Sequence, residues 1–407
     1  MTSRTRNTRL LPGLALVFAT LAGCAASPAL YQPGPARLTA APVTDFEDYR
    51  AEARAVVAAN RVAVDGFSRE QQVAWNLPFR SPAAEHCAPE QTTGLLMIHG
   101  LADSPFVFRD LARALSDQCV EVRAPLLQGH GTRPGDLTVA SADVWRAQVA
   151  EHFQALANDV DHVLIGGFSL GGALATDYAL SGQQPAPEGL ITFAPAWQLN
   201  RLDRYLWLAR LADLFADFVE EEPELNPVKY ESFAINSGVQ IGEVLKRVQT
   251  GLGNSDRQPL PLFLVATEAD SVINLPYLTE QFQTRFRHPD SRMLVFRDTR
   301  DKWVPEQTDP RIQSLNSYRP DDFILEFSHQ SLLIAPDNEL YGIGAPLQRC
   351  LEPNNIALDA CQQLGDGELW FSAWHDTERP VFTSRLTWNP WFDTTVEALA
   401  EFIDASR

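Results

Sequence analysis

A serine between two glycines is the residue whose surroundings point most directly to chemistry. The segment GFSLG at 167–171 follows an apolar run and precedes a small-residue segment with helical character. A serine at a sharp strand-to-helix turn can act as a nucleophile, and Gly167 and Gly171 remove side chains that would clash there. This context predicts that Ser169 is a catalytic nucleophile. The alternative is a glycine-rich turn without chemistry.

A serine nucleophile needs a histidine base and an acid that orients the base. Asp270 directly follows the apolar run 261–267, and His329 follows the run FILEF at 323–327. We expect both to lie at strand ends, in the chain order Ser, Asp, His. The other acids at comparable positions are Glu268, Asp298 and Asp301. The remaining histidines considered lack that order or that placement: His86, His130, His152, His162, His288 and His375.

An oxyanion formed at Ser169 needs two backbone N–H donors. One is predicted to come from Leu170, the residue after the nucleophile. The other is predicted to come from Leu101, because Gly100 allows a turn in the loop after an early strand. His99, in the same segment, is predicted to hold that loop by hydrogen bonds.

Short apolar runs alternate with helix-like segments along most of the chain. The predicted strands are 93–99, 120–125, 162–166, 190–194, 261–267, 292–296 and 323–327, and the predicted helices include 142–156 and 170–180. This alternation predicts an α/β protein with a doubly wound, mostly parallel sheet. Residues 196–258 interrupt it. There, the apolar face of an amphipathic helix (Trp207, Leu211, Leu214, Phe215 and Phe218) fits either a helix packed on the core or a helical cap over the site.

The first residues are typical of an export signal. Three arginines precede an apolar stretch that ends at Cys24, and this resembles the lipobox of bacterial lipoproteins. The expected organisation is a signal peptide at 1–23, a lipidated tether at 24–45 and a folded domain at 46–407. The resemblance implies a lipid anchor on Cys24 in the cell envelope, at the outer membrane facing the periplasm. A plain signal peptide is the alternative.

The other four cysteines are an even number, which is typical of two disulfides in an oxidising compartment. Three pairings are possible. The favoured one is Cys87–Cys119 with Cys350–Cys361, because each pair closes a local loop. Four buried thiols are the alternative.

Composition limits the class of partner. The net charge is −19 and hydrophobic residues make up 45% of the chain, which is typical of a globular protein. An acidic chain is not expected to bind nucleic acid. The sequence has no zinc-ligand spacing and no glycine-rich phosphate loop, so neither a metal nor a cofactor is predicted.

Several longer segments together resemble the α/β-hydrolases, nearest the carboxylesterase and monoacylglycerol lipase group. They are LLMIHGLADSPF, PLLQGHGTRPGDL, GGFSLGGALA, EADSVI and SHQSLLIAPDNELYG, and the resemblance extends over about residues 90–400. It implies an α/β-hydrolase fold, the triad Ser169, Asp270 and His329, and a helical cap at about 196–258. In the GHG segment, it implies a structural or pocket-lining role for His130.

The resemblance also implies a small acyl-ester or lipid substrate, such as a monoacylglycerol or a lysophospholipid. An acyltransferase would use the same triad, and a non-catalytic binding lipoprotein would use the same frame. One departure from the family is the insert at about 342–385, which contains Cys350, Cys361, Trp370 and Trp374. The other is the strand-like run 292–296 ahead of FILEF. Because either run could be the family strand, the orienting acid could be Asp270 or one of the alternative acids.

Overall fold

The computed structural model describes residues 29–87, 92–200, 212–213, 216–254, 260–300 and 308–407. The predicted signal peptide and Cys24 lie outside these ranges, so both export and lipidation stay predictions of the sequence. Within the described ranges, each helix is too short or too polar to cross a membrane.

Eight strands form one sheet. They are β1 Phe79–Ser81, β2 Thr93–Ile98, β3 Val120–Ala124, β4 His162–Phe168, β5 Leu190–Phe193, β8 Leu262–Thr267, β9 Arg292–Arg297 and β10 Ile312–Asn316. Their order is β1-β3-β2-β4-β5-β8-β9-β10. Only β1 is antiparallel to its neighbour in this sheet. The predicted doubly wound, mostly parallel α/β sheet is confirmed.

Helices connect and cover the strands. They are α1 Phe46–Asn60, α2 Arg69–Trp75, α3 Arg109–Ser116, α4 Ala142–Asp159, α5 Leu170–Leu180, α6 Ile235–Gly253, α7 Leu275–Thr284, α8 Leu358–Cys361 and α9 Phe392–Ala405. Helix α5 packs against α4 and α6, whereas α3 contacts α9. Every residue of β2, β5 and β8 is buried, as expected for parallel strands covered on both faces.

The N-terminal part of the described chain lies against this core. Leu38 is buried with residues of α1 in a second apolar cluster. The N–H of Gly34 donates to Asp136 at 2.6 Å, and Arg133 donates to the carbonyl of Ala29 at 2.8 Å. Residues from Ala29 onward, which belong to the predicted tether, therefore contact the folded body.

Two additions interrupt the α/β pattern. The first, called the cap, is residues 196–258 between β5 and β8, and contains a short hairpin (β6 Phe218–Glu220 and β7 Phe233–Ala234) followed by α6. Most of the amphipathic helix predicted there, including Trp207 and Leu211, lies outside the described residues. The second, called the insert, is residues 342–385, and holds α8 and the parallel pair β11 Leu369–Ser372 and β12 Phe382–Arg385.

The prediction of a sheet strand at 323–327 was wrong. Phe323 has a left-handed backbone, and Ile324 bridges to Phe371 of the insert. The last strand of the sheet is β10, at one edge, and only Ile312 and Leu315 of its sequence IQSLN are buried. The FILEF segment instead pairs with the insert: the N–H of Leu325 donates to Phe371 O, and the N–H of Phe371 donates to Phe323 O, both at 2.8 Å.

Both favoured cysteine pairs are disulfides in the structure. Cys87–Cys119 links the segment after β1 to the start of β3, with a sequence separation of 32. Cys350–Cys361 closes a loop of the insert, with a separation of 11. Restricting the unfolded chain in this way stabilises the folded state.

His152 is expected to make the protein sensitive to acid. Its ring is buried in α4, 4.3 Å from the ring of Tyr49, and burial lowers its pKa to about 3. In the unfolded chain, the histidine binds a proton near pH 6.5. The stability that the protein gains from burying the neutral ring is therefore fully present above that pH, and it is lost as the pH falls toward 3. Between pH 7 and 4.5, His152→Phe should lose about 2 kcal/mol less unfolding free energy than the parent does. Denaturant unfolding at both pH values measures this, with the exposed His86→Gln as the control. Equal losses in parent and variant would contradict the expectation.

Candidate active site

Ser169 occupies a strained position between β4 and α5. Its φ of 53° and ψ of −116° are unusual for a residue with a side chain, and such strain costs about 1–3 kcal/mol. Hydrogen bonds on both sides hold it: its N–H donates to Phe193 O at 3.0 Å, and its carbonyl accepts from Ala196 N–H at 3.0 Å. The strain is thus enforced by the surroundings, and it presents a partly exposed hydroxyl at the carboxyl end of the sheet.

The flanking glycines are required by close packing. A side chain at Gly171 would overlap the carbonyl of Ile98, and one at Gly167 would overlap the backbone of Gly171. The turn can therefore lie against the end of β2 only with glycine at these positions.

The loop after β2 lies directly beside the serine. Ile98 is paired with Gly167, and a Cβ built on Gly100 would lie 3.4 Å from Cβ of Ser169. The N–H of Leu101 makes no hydrogen bond with any described residue. Leu170 begins α5, so its N–H has no acceptor within the helix. Of the two predicted oxyanion donors, Leu170 directly follows the serine, and Leu101 follows Gly100, which packs against it.

His99 and His130 hold this loop from behind. His99 Nε2 accepts from the N–H of Leu127 at 3.1 Å, so its Nδ1 must be the donor to Gly100 O at 2.9 Å. Burial lowers the pKa of His99 well below its usual value and that of His130 to about 4. Both rings are buried and neutral near pH 7, and they contact each other with centroids 4.8 Å apart, which fits a structural role.

His329 and Asp270 form a buried pair at the same edge of the sheet. His329 Nδ1 lies 2.7 Å from Oδ2 of Asp270. The other oxygen, Oδ1, accepts the N–H groups of Val272 and Ile273 at 2.8 and 2.9 Å. Because three donors converge on this carboxylate, it holds the imidazole in one orientation with Nε2 free to act.

Contacts from three elements fix the position of His329, although no strand ends there. Its ring lies 4.8 Å from that of Phe168, the residue before Ser169. Before it, Thr267 Oγ1 donates to Phe327 O at 3.3 Å, and Ser328 Oγ donates to Leu386 O at 2.7 Å. The histidine is therefore fixed by a loop bound to both β8 and the segment after β12.

The competing acids are placed differently. Glu268 is exposed. Asp298 is bound by Arg300 at 2.6 Å, an ion pair that holds the pKa of the carboxyl below its usual value. Asp301 lies outside the described residues. Of the described candidates, Asp270 alone contacts His329.

Sequence analysis missed a set of charged residues around this site. Asp103, Lys229 and Arg385 line a cavity next to Gln330, the residue after His329. Burial raises the pKa of Asp103 to about 6. The HGLADSP segment contains Asp103, but nothing local in the sequence indicates that the cap and the insert meet there.

The described residues include one group with metal-ligand chemistry, His86, Cys87 and Cys119. Both of its sulfurs are in the disulfide, which removes the thiolates that a metal would need.

Comparison with known proteins agrees with this architecture. A family model described as the alpha/beta hydrolase family matches residues 95–337. A thermostable monoacylglycerol lipase of Bacillus sp. (strain H-257) is 26% identical over 200 residues, covering 48% of this chain and 78% of the lipase.

Among solved structures, one from a study of the metagenome-derived lipolytic enzymes LipS and LipT has a TM-score of 0.46 at 19% identity, covering 54% of this chain and 87% of that one. A monoacylglycerol lipase of Paleococcus ferrophilus has a TM-score of 0.44 at 17% identity, with coverage of 54% and 87%. The family match spans more than half of the 407 residues. The chain therefore belongs to the alpha/beta hydrolase family.

Proposed function

We propose that the protein hydrolyses carboxylic esters of acyl chains through an acyl-enzyme on Ser169. The observation that carries this proposal is the 2.7 Å contact between His329 and the buried Asp270, at the sheet edge where Ser169 is held in a strained turn. A serine, a histidine and a carboxylate with two nearby N–H donors are the components of acyl transfer through a serine nucleophile.

In the first half-reaction, Ser169 Oγ attacks the ester carbonyl carbon while His329 Nε2 takes the hydroxyl proton. The resulting oxyanion accepts hydrogen bonds from the N–H groups of Leu101 and Leu170. Asp270 stabilises the imidazolium. When the tetrahedral intermediate collapses, the bond to the alcohol oxygen breaks, and His329 gives its proton to the departing alcohol.

In the second half-reaction, His329 takes a proton from water, whose oxygen attacks the acyl-enzyme. Collapse of the second tetrahedral intermediate releases the carboxylic acid and returns the proton to Ser169. Each oxyanion donor is expected to contribute about 3–4 kcal/mol to lowering the barrier. Monoacylglycerols are the first substrates to test, because the curated relative is named for them, and lysophospholipids are the second.

Labelling with a fluorophosphonate tests the nucleophile. Folded protein should form one covalent adduct, which peptide mapping should place on Ser169, because only an activated serine reacts rapidly. Heat-unfolded protein is the control and should not react. Folded protein that stays unlabelled and turns over no ester in a panel of increasing acyl length would overturn the proposal.

A further inference from the structure

The short hairpin of the cap exposes apolar side chains to solvent. Val219 of β6 is 70% exposed, and Phe233 of β7 is 39% exposed. Each is next in the chain to a residue that packs on the core, Phe218 or Ala234, and the two strands are paired. Val219 and Phe233 therefore lie close together on the solvent side of the hairpin.

Two further exposed apolar side chains border this hairpin. Val139 precedes Ala140, whose carbonyl accepts from Asn236 Nδ2 at 2.9 Å, two residues after β7. Leu225 donates its N–H to the carboxylate of Glu231, two residues before β7. A group of exposed apolar residues around one element marks a contact surface, whereas scattered single ones do not. The group, called the apolar patch, consists of Val139, Val219, Leu225 and Phe233.

The N-terminal segment is fixed beside the same hairpin. The ring of Tyr31 lies 5.1 Å from that of Phe218, edge to face, and its hydroxyl donates to Glu222 O at 3.3 Å. The backbone of Gln32 packs so closely on Gly135 that a side chain at Gly135 would overlap it. The described chain therefore begins next to the apolar patch.

The chain between this point and the predicted lipid anchor is short. Cys24 precedes Ala29, the first described residue, by five positions. Five extended residues reach at most about 17 Å. A folded chain of this length has a radius of gyration of about 22 Å, so the tether is shorter than the body is wide. A lipid on Cys24 would therefore turn the side of the molecule that carries Tyr31 and the apolar patch toward the membrane.

The size and the charge of this surface favour one occupant. Four partly exposed side chains fall well short of the roughly 800 Å² per partner that a stable dimer buries. The chain has a net charge of −19, and Asp217 and Glu221 are exposed beside the hairpin, so anionic lipid would repel it. A zwitterionic lipid surface is the partner that fits both features.

We infer that the apolar patch is the surface on which the protein docks to a zwitterionic lipid bilayer. The loop between β6 and β7 also contacts the proposed oxyanion loop, because the N–H of Tyr230 donates to Ala102 O at 2.7 Å, next to Leu101. Docking through the hairpin would thus bring the site to the lipid surface. Its use on esters held in the bilayer rests on the proposed function, whereas the docking does not.

Flotation with phosphatidylcholine vesicles tests the docking. The protein from residue 24 onward, made without its lipid, should float with the vesicles. Val219→Ser combined with Phe233→Ser should lower the partition coefficient about tenfold, because two apolar side chains no longer leave water. The matched control is Leu358→Ser combined with Phe382→Ser, which removes side chains of the insert that are 37% and 47% exposed. It should leave the partition coefficient unchanged.

Four results would overturn the inference. They are a wild type that does not float, equal losses in the two double variants, tighter binding to vesicles that also contain phosphatidylglycerol, and a dimer in solution that only the hairpin variant abolishes. Thermal unfolding checks that each variant folds. If the hairpin double variant does not, Val219→Ser alone decides, and its partition coefficient should fall about threefold.

Two readouts separate this inference from the proposed function. Ser169→Ala should float as the wild type does, because flotation needs no catalysis. In the hairpin double variant, the ratio of turnover of monodecanoyl glycerol in vesicles to turnover of a soluble short-chain ester should fall with the partition coefficient. Flotation without fluorophosphonate labelling of Ser169 would show that the proposed function alone had failed. Labelling and ester turnover without flotation would show that the docking alone had failed.

Discussion

Ser169→Ala is expected to lower kcat for ester hydrolysis by about 10⁴-fold or more, because the variant has no nucleophile to form the acyl-enzyme. The fold should persist. Alanine can adopt the same backbone conformation as serine, and the hydrogen bonds that hold the turn are made by backbone atoms of Ser169, Phe193 and Ala196. The measurement is initial-rate kinetics on a short-chain ester, together with thermal unfolding.

Ser181→Ala is the matched control. Ser181 lies at the other end of α5, where its hydroxyl donates to Tyr178 O at 2.7 Å, so the variant changes a serine of the same helix without touching the site. It should keep the parent activity. Ser169→Ala that retained more than a few per cent of kcat would contradict a serine acyl-enzyme.

The elements nearest the serine could be predicted from local patterns. The strand before Ser169 is an uninterrupted apolar run, and α5 spans Leu170–Leu180, as predicted. Buried parallel strands and strained turns leave such signals because each residue must satisfy constraints from its immediate neighbours. The two disulfide pairs could also be predicted, because each pair closes a local loop.

The far edge of the sheet could not be predicted in the same way. In β10, Gln313 is exposed and only Ile312 and Leu315 are buried, which is too weak a pattern to identify a strand. The FILEF segment is apolar because Ile324 and Phe327 are buried in the core. Its backbone partner is Phe371 of the insert, a contact that depends on tertiary packing.

The charged cavity beside the site could not be predicted from local sequence either. Asp103, Lys229 and Arg385 come from the loop after β2, the cap and the insert, which are far apart in sequence. Nothing about each residue alone distinguishes it from a solvated surface charge. They come together through tertiary contacts: Tyr230 is hydrogen-bonded to Ala102, and Leu386 is hydrogen-bonded to Ser328.

Asp270→Asn is expected to lower kcat by about 10⁴-fold through the tautomer of the histidine. In the parent, Oδ2 accepts the proton on Nδ1 of His329, which leaves Nε2 as the base. The asparagine oxygen should keep the N–H groups of Val272 and Ile273, so its NH₂ group would face Nδ1. The imidazole would then carry its proton on Nε2 and could no longer take one from Ser169.

The competing acids supply the controls for this variant. Glu268→Gln removes a carboxylate close in sequence, and Asp298→Asn removes one at the next strand end. Glu268 is exposed and Asp298 is bound by Arg300, so neither contacts His329. Both variants should therefore keep activity within a factor of about two, as expected for changes outside the site. A large loss in either, with activity retained in Asp270→Asn, would transfer the orienting role to that residue. Fluorophosphonate labelling adds a second readout. Ser169 of Asp270→Asn should react far more slowly than the parent, because the same misplaced proton that prevents ester attack also prevents attack on phosphorus.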